Sequence, residues 1–123
     1  NESKGDVMTI VRHEGLPIFS SVVEHGGGVY VSGLVPKDRT LDVTVQAKDI
    51  FQQIDANLAK AGVDKTRLLK VEIWLKHIER DFAAMNEAWK QWIDPKHLPV
   101  RVTSEANLAS PDVLIEIMVT AAK

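Results

Sequence analysis

Leu69-Lys70-Val71-Glu72-Ile73-Trp74-Leu75-Lys76 is the stretch on which the fold turns. Leu69, Val71, Ile73 and Leu75 alternate with Lys70, Glu72, Trp74 and Lys76, and a period of two is that of a strand with one face in a core. Trp74 breaks the polar side, as expected where the second sheet face is partly covered, for example by another subunit. Upstream, Val43, Ala47, Ile50, Phe51, Ile54, Leu58 and Ala61 recur at helical spacing between an N-cap at Asp42 and a C-cap at Gly62. Downstream, a second helix is expected from a cap near Asp81, with Phe82, Met85, Trp89 and Trp92 along one core-facing stripe, until Pro95 and Pro99 end it.

Farther out, β-rich runs over residues 7–12, 20–24 and 29–32 predict three strands, with Gly26-Gly27-Gly28 as the turn between the last two. Two more strands are expected over 100–108 and 113–120, separated by Ala109-Ser110-Pro111-Asp112. The order is β-β-β-α-β-α-β-β, an α+β arrangement in which one sheet buries both helices. With both helices on one face, the other sheet face needs solvent or a partner, which predicts a homo-oligomer.

At 123 residues the chain reads as one domain, over residues 8–123. The polar start, residues 1–7, reads as a frayed N-terminal arm or an expression remnant. Fifteen Lys and Arg against seventeen Asp and Glu leave a net charge of −2, too little positive charge to make nucleic acid a default partner. The absence of cysteine removes disulfides, thiolate zinc sites and a cysteine nucleophile. No membrane helix and no apolar leader is expected, so the protein reads as cytoplasmic. His13, His25, His77 and His97 are scattered, none three or four residues from another, so no metal site is expected. The three consecutive glycines lack the spacing of a dinucleotide fingerprint.

Two charged residues stand out. Glu116 lies within Val113-Leu114-Ile115-Glu116-Ile117-Met118-Val119, where a carboxylate costs free energy unless it is paired, faces solvent, or serves as a functional acid. Arg101, in Pro99-Val100-Arg101-Val102-Thr103, is the cation on the preceding strand. It is either a solvated surface arginine or, if it lines a cleft, a planar fork for a carboxylate.

Val29-Tyr30-Val31-Ser32-Gly33, the helix with Asn57-Leu58 and Ala61-Gly62, Asp81-Phe82 before Asn86-Glu87, Pro99-Val100-Arg101 and Ile115-Glu116-Ile117 occur in an order and spacing that resemble the reactive intermediate deaminase (Rid, YjgF-like) family. The resemblance spans about residues 8–123. It implies a fold like bacterial-type chorismate mutase: a mixed six-stranded sheet with two helices on one face, in a homotrimer with clefts between subunits. It also implies hydrolysis of reactive enamines and imines, such as the 2-aminoacrylate released by pyridoxal-phosphate enzymes, to 2-keto acids and ammonia, with no cofactor. By position, Arg101 resembles the holder of the substrate carboxylate, and Glu116 the acid that positions water and shuttles its proton. Ser32, Gly33 and Asn86 resemble residues lining the same cleft, although Ser32 alone could bond its own turn and Asn86 alone could sit on a polar helix face. Phe19 stands where tyrosine is usual and Thr103 where cysteine is common; both are expected to line the substrate pocket. Leu34 replaces a frequent glutamine. A second reading is a non-catalytic relative that binds a small carboxylate in that cleft as a regulator. Ribonuclease activity, claimed for some relatives, fits poorly with the net charge of −2 and 6% aromatic residues.

Overall fold

A computed structural model of the protein describes residues 8–123; the expected arm, and the start of the first expected strand, lie outside the described residues. Six strands form one mixed sheet: β1 (Val11–His13), β2 (Val22–His25), β3 (Gly28–Leu34), β4 (Leu68–Leu75), β5 (Val100–Glu105) and β6 (Ile115–Ala122). Their spatial order is β1-β2-β3-β6-β4-β5, with β4 and β5 parallel and every other pair antiparallel. Between β3 and β4 runs helix α1 (Val43–Lys60), and between β4 and β5 runs α2 (Ile78–Trp92).

The alternation in β4 sets the layers. Val71, Ile73 and Leu75 are buried and pair with Val119, Ile117 and Ile115 of β6, while Val119 pairs in turn with Val31 of β3. Residues opposite one another across a ladder share a face, so these side chains form one apolar surface, and Ala47, Ile50, Phe51, Ile54 and Leu58 of α1 and Met85 and Trp89 of α2 complete the core above it. Both helices therefore lie on one face, as the element order implied. The other face carries Tyr30, Val102 and Met118 exposed.

Several boundaries differ from the sequence reading, each for a local reason. Leu69, expected inside, is 53% exposed, because the β4–β6 register shifts between Leu68 and Lys70 and Leu68 takes the buried place. β1 starts at Val11, since its partner β2 has only four residues. β5 ends at Glu105, opposite the last residue of β4, whereas β6 runs on to Ala122 because Gly28 and Val29 supply partners. The Gly26-Gly27 turn matches its reading: φ of 59° and 83° suit a two-residue hairpin, which needs both central residues in the left-handed region.

Helix α2 departs most. Asp81 is not its cap. The N-cap position is His77, without a side-chain bond, and Glu105 of β5 supplies the acceptor by taking the Ile78 N–H at 2.9 Å. Asp81 instead turns inward in the first turn, bonded by Arg80. The inward stripe therefore runs Asp81-Met85-Ala88-Trp89, and Phe82, about 100° further round, is 41% exposed.

One buried polar residue ties two loops to this frame. Gln46, fully buried in α1, donates through Nε2 to the carbonyls of Leu41 and Asp112 at 3.0 and 3.1 Å and accepts the Leu114 N–H through Oε1 at 2.9 Å. It thereby sets the entry into β6. Gln46→Leu keeps the volume but leaves these backbone groups unpaired, and is expected to lower stability by about 2–3 kcal/mol in urea unfolding.

Candidate functional site

The strand order decides how the expected site residues are arranged. In the sequence reading Arg101 lay on the strand preceding that of Glu116; in space β4 lies between the two. Trp74 of β4 pairs with Glu116 on one side and Ser104 on the other, whereas Val71 and Ile73 pair with Arg101 and Thr103. Glu116 thus shares the open face with Trp74, and Arg101 and Thr103 share the helix-covered face. At about 4.8 Å per strand, β6 and β5 are about 10 Å apart. Within one chain the two charged groups do not meet.

Around Glu116 the structure gathers one group. With Trp74, Ala106, Asn107 and Leu108, Glu116 lines an open depression of about 230 Å³. Its carboxylate rests against the backbone of Gly33: a Cβ there would come within 2.5 Å of Oε2. The missing side chain is what admits the carboxyl group. Ser32, beside it, is half-buried, and its N–H donates to the Ser21 carbonyl at 3.0 Å. That bond draws in the segment bearing Phe19, which is itself exposed. Burial alone acts on the Glu116 carboxyl and raises its pKa above the ordinary value.

A second group lies under α2 at the β5 edge. The Arg101 guanidinium stands 5.1 Å from the centre of the Trp89 ring. No ion pair holds it among the described residues; burial alone acts on it and lowers its pKa. Two residues on, the Thr103 hydroxyl is buried without a hydrogen-bond partner. Asn86 is half-buried on α2, one turn before Trp89. Of the seven expected residues, Ser32, Gly33 and Glu116 therefore fall on one side and Asn86, Arg101 and Thr103 on the other, while Phe19 stands exposed in the segment before β2. Sequence reading placed Trp89 in the core and missed its contact with Arg101, for which spacing carries no signal. Among the described residues no cluster of His, Asp and Glu is suited to a metal ion, and no helix is long and apolar enough to cross a membrane.

A six-stranded mixed sheet with two helices on one face is the fold of YjgF-family structures. Residues 11–123 match the family described as Endoribonuclease L-PSP. The chain belongs to this family, which includes the RutC, YjgF and Rid proteins. It is 41% identical over 115 residues to the RutC family protein YoaB of Escherichia coli, covering 94% of this chain and 99% of that one. A YjgF-family member from Neisseria meningitidis superposes with a TM-score of 0.88 at 35% identity, over 94% of this chain and 96% of its own. An uncharacterized protein from Pseudomonas aeruginosa gives the same TM-score of 0.88 and identity of 35%, over 93% and 98% of the two chains.

Two outcomes follow from the seat of Glu116. Gly33→Ala pushes against the far end of a flexible side chain, so the carboxylate swings aside; the unfolding midpoint is expected to shift by no more than about 2 °C while any Glu116-dependent activity falls at least tenfold. Glu116→Gln tests the raised pKa. A carboxyl raised in the folded state makes ionisation oppose folding, so stability falls as pH rises from the unfolded value through the folded one. The Gln variant is therefore expected to resist urea better than wild type at neutral pH, with the gain vanishing below about pH 4; an equal gain at both pH values would rule out ionisation as the cause.

Proposed function

We propose that this chain is a hydrolytic deaminase of reactive 2-imino and 2-enamino acids, of the 2-aminoacrylate type released by pyridoxal-phosphate enzymes, acting without a cofactor in a cytoplasmic homotrimer. The observation that carries the reading is the pair of ionisable groups left without a charged partner among the described residues, Arg101 on the edge strand β5 and Glu116 on the open face of the central strand β6. An arginine without a carboxylate partner is ready for a substrate carboxylate, and a carboxyl group whose pKa burial raises is a stronger base than an ordinary carboxylate once ionised.

The chemistry assigns each a role. Arg101 takes the substrate carboxylate bidentately, with the Thr103 hydroxyl and the Asn86 amide beside it. An enamine first tautomerises to its imine. Glu116, as carboxylate, takes a proton from water, whose oxygen bonds to the imine carbon. It passes that proton to the imine nitrogen, giving the carbinolamine, then takes the hydroxyl proton as the carbonyl forms and delivers it to the nitrogen as the carbon–nitrogen bond breaks, so that a 2-keto acid and ammonia leave. Because one chain holds Arg101 and Glu116 on opposite sheet faces, the reading requires a second copy: the Glu116 group of one protomer meets the Arg101 group of the next. Exposed Tyr30, Val102 and Met118 on the uncovered face support such an assembly. The family description names an endoribonuclease, but a net charge of −2 favours a small carboxylate over a polyanion.

The test generates 2-imino acids with an amino-acid oxidase and traps them with semicarbazide. Wild type is expected to divert imine from the trap, and Arg101→Ala and Glu116→Ala to lose at least 100-fold of that activity. Mixed and reassembled, the two inactive variants should recover part of it, since a mixed oligomer rebuilds some intact clefts. If wild type diverts nothing yet binds a 2-keto acid through Arg101, the chain is the non-catalytic carboxylate-binding relative, a reading to which the loss of the usual tyrosine hydroxyl at Phe19 would then point. Activity with no recovery on mixing would place both groups in one chain's site.

A further inference from the structure

Trp89 sits where the hydrophobic core ends and the Arg101 group begins. Its ring is fixed from within: it packs edge-on against Phe51 at 6.1 Å and against Trp92 at 5.7 Å, and those two rings stack on each other at 4.5 Å and 3°. Trp92 is held in turn by its indole N–H, which donates to Asp55 at 3.1 Å. The aromatic trio is thus clamped between α1 and α2, and the Trp89 face it offers the β5 edge has one neighbour of opposite electrostatic character, the Arg101 guanidinium at 5.1 Å.

The consequence is chemical. A guanidinium steadied by a carboxylate is oriented but neutralised, and two of its five N–H donors are spent. One steadied over an aromatic face is oriented by the ring quadrupole, keeps its charge, and keeps all its in-plane donors for a ligand. We infer that Trp89 is a positioning residue for the substrate carboxylate: its ring holds the Arg101 fork at a fixed tilt and leaves the edge of that fork free. The inference rests on the reading of Arg101 as a carboxylate anchor and deepens it, since it states why this arginine needs no acidic partner. It gives the core stripe of α2 a second task, because the ring that closes the core also sets the anchor.

The experiment uses the assembled protein, with pyruvate as the carboxylate probe, and compares wild type with Trp89→Leu and Trp89→Phe. Calorimetry is expected to show pyruvate bound roughly three- to tenfold more weakly by Trp89→Leu, with most of the affinity restored by Trp89→Phe. In the imine assay KM should rise by the same factor while kcat holds. A purely structural role would not produce this split or the rescue by phenylalanine. A signal independent of any ligand comes from the Arg101 Nε–H resonance, which the ring current of Trp89 should shift upfield in wild type and in Trp89→Phe but not in Trp89→Leu. It keeps the inference open to refutation even if the leucine variant folds poorly. An unshifted wild-type resonance, or equal pyruvate affinity in wild type and Trp89→Leu, overturns the inference. Pyruvate binding that follows this order without imine turnover would leave the inference standing and remove the deaminase reading. Turnover with an unaltered KM in Trp89→Leu would do the reverse.

Discussion

The pleat of one strand governs everything the chain can do. β4 lies between β6 and β5 and from Lys70 to Leu75 pairs with both without a break. Successive side chains of a strand leave on opposite faces, so the line through Trp74 carries Glu116 to the open face, while the lines through Val71 and Ile73 carry Arg101 and Thr103 to the face beneath α2. No rotamer change can reverse that assignment; only a one-residue slip of register could, and such a slip would expose Val71, Ile73 and Leu75 together. The hydrophobic core and the division of the candidate site are thus set by the same ladder. A protein that needs both groups in one cleft must look outside itself, and its uncovered sheet face is available for that purpose.

Each half is kept unsatisfied by ordinary packing. The Glu116 carboxyl is held against Gly33, where a side chain would displace it, and no donor relieves its partial burial. Arg101 leans on a tryptophan instead of an acid. Thr103 buries a hydroxyl with nothing to bond. Such groups weaken a fold slightly, since each gives up water without full compensation, and they contrast with the fully buried Gln46, whose amide is bonded to the backbone of Asp112 and Leu114 just before β6.

Much of this was legible in the chain itself. The alternation through Val71, Ile73 and Leu75, the amphipathic run from Val43 to Ala61 and the glycine turn at 26–27 are local signals, and local signals survive in the structure. What the sequence could not convey was non-local. The shift that turns Leu69 outward exists only in the pairing of β4 with β6. The capping of α2 by Glu105 depends on a strand that follows the helix by eight residues and returns beside its start. Asp81 carries the composition of a cap yet turns inward, and Phe82 carries the composition of a core residue yet stays outside, because the true start of the helix rotates the stripe. Glu116 and Arg101 stood out from their own strands and the other candidates from resemblance; their separation into two groups followed only from the strand order, where β4 intervenes between two strands that are neighbours in sequence.

Two glutamates in neighbouring parts of the sheet show why residue type alone could not sort structural acids from functional ones. Glu24, in β2, is only 9% exposed, more deeply placed than Glu116, although only Glu116 stands out in the sequence, as a carboxylate in an apolar run. Yet the His13 ring lies 2.6 Å from one oxygen of Glu24 and the Lys123 ammonium 2.7 Å from the other, and these contacts, with His13 the larger, hold its carboxyl below the ordinary pKa despite burial. That acid is complete: it ties β1 and the end of β6 to β2, and its ionised form is the one the fold favours. Glu116 is shifted the other way because desolvation meets no opposing partner. Burial is common to both residues, so burial does not distinguish them. The sign of the shift does, and it separates a carboxylate whose partners lie within the fold from one that burial acts on without a partner.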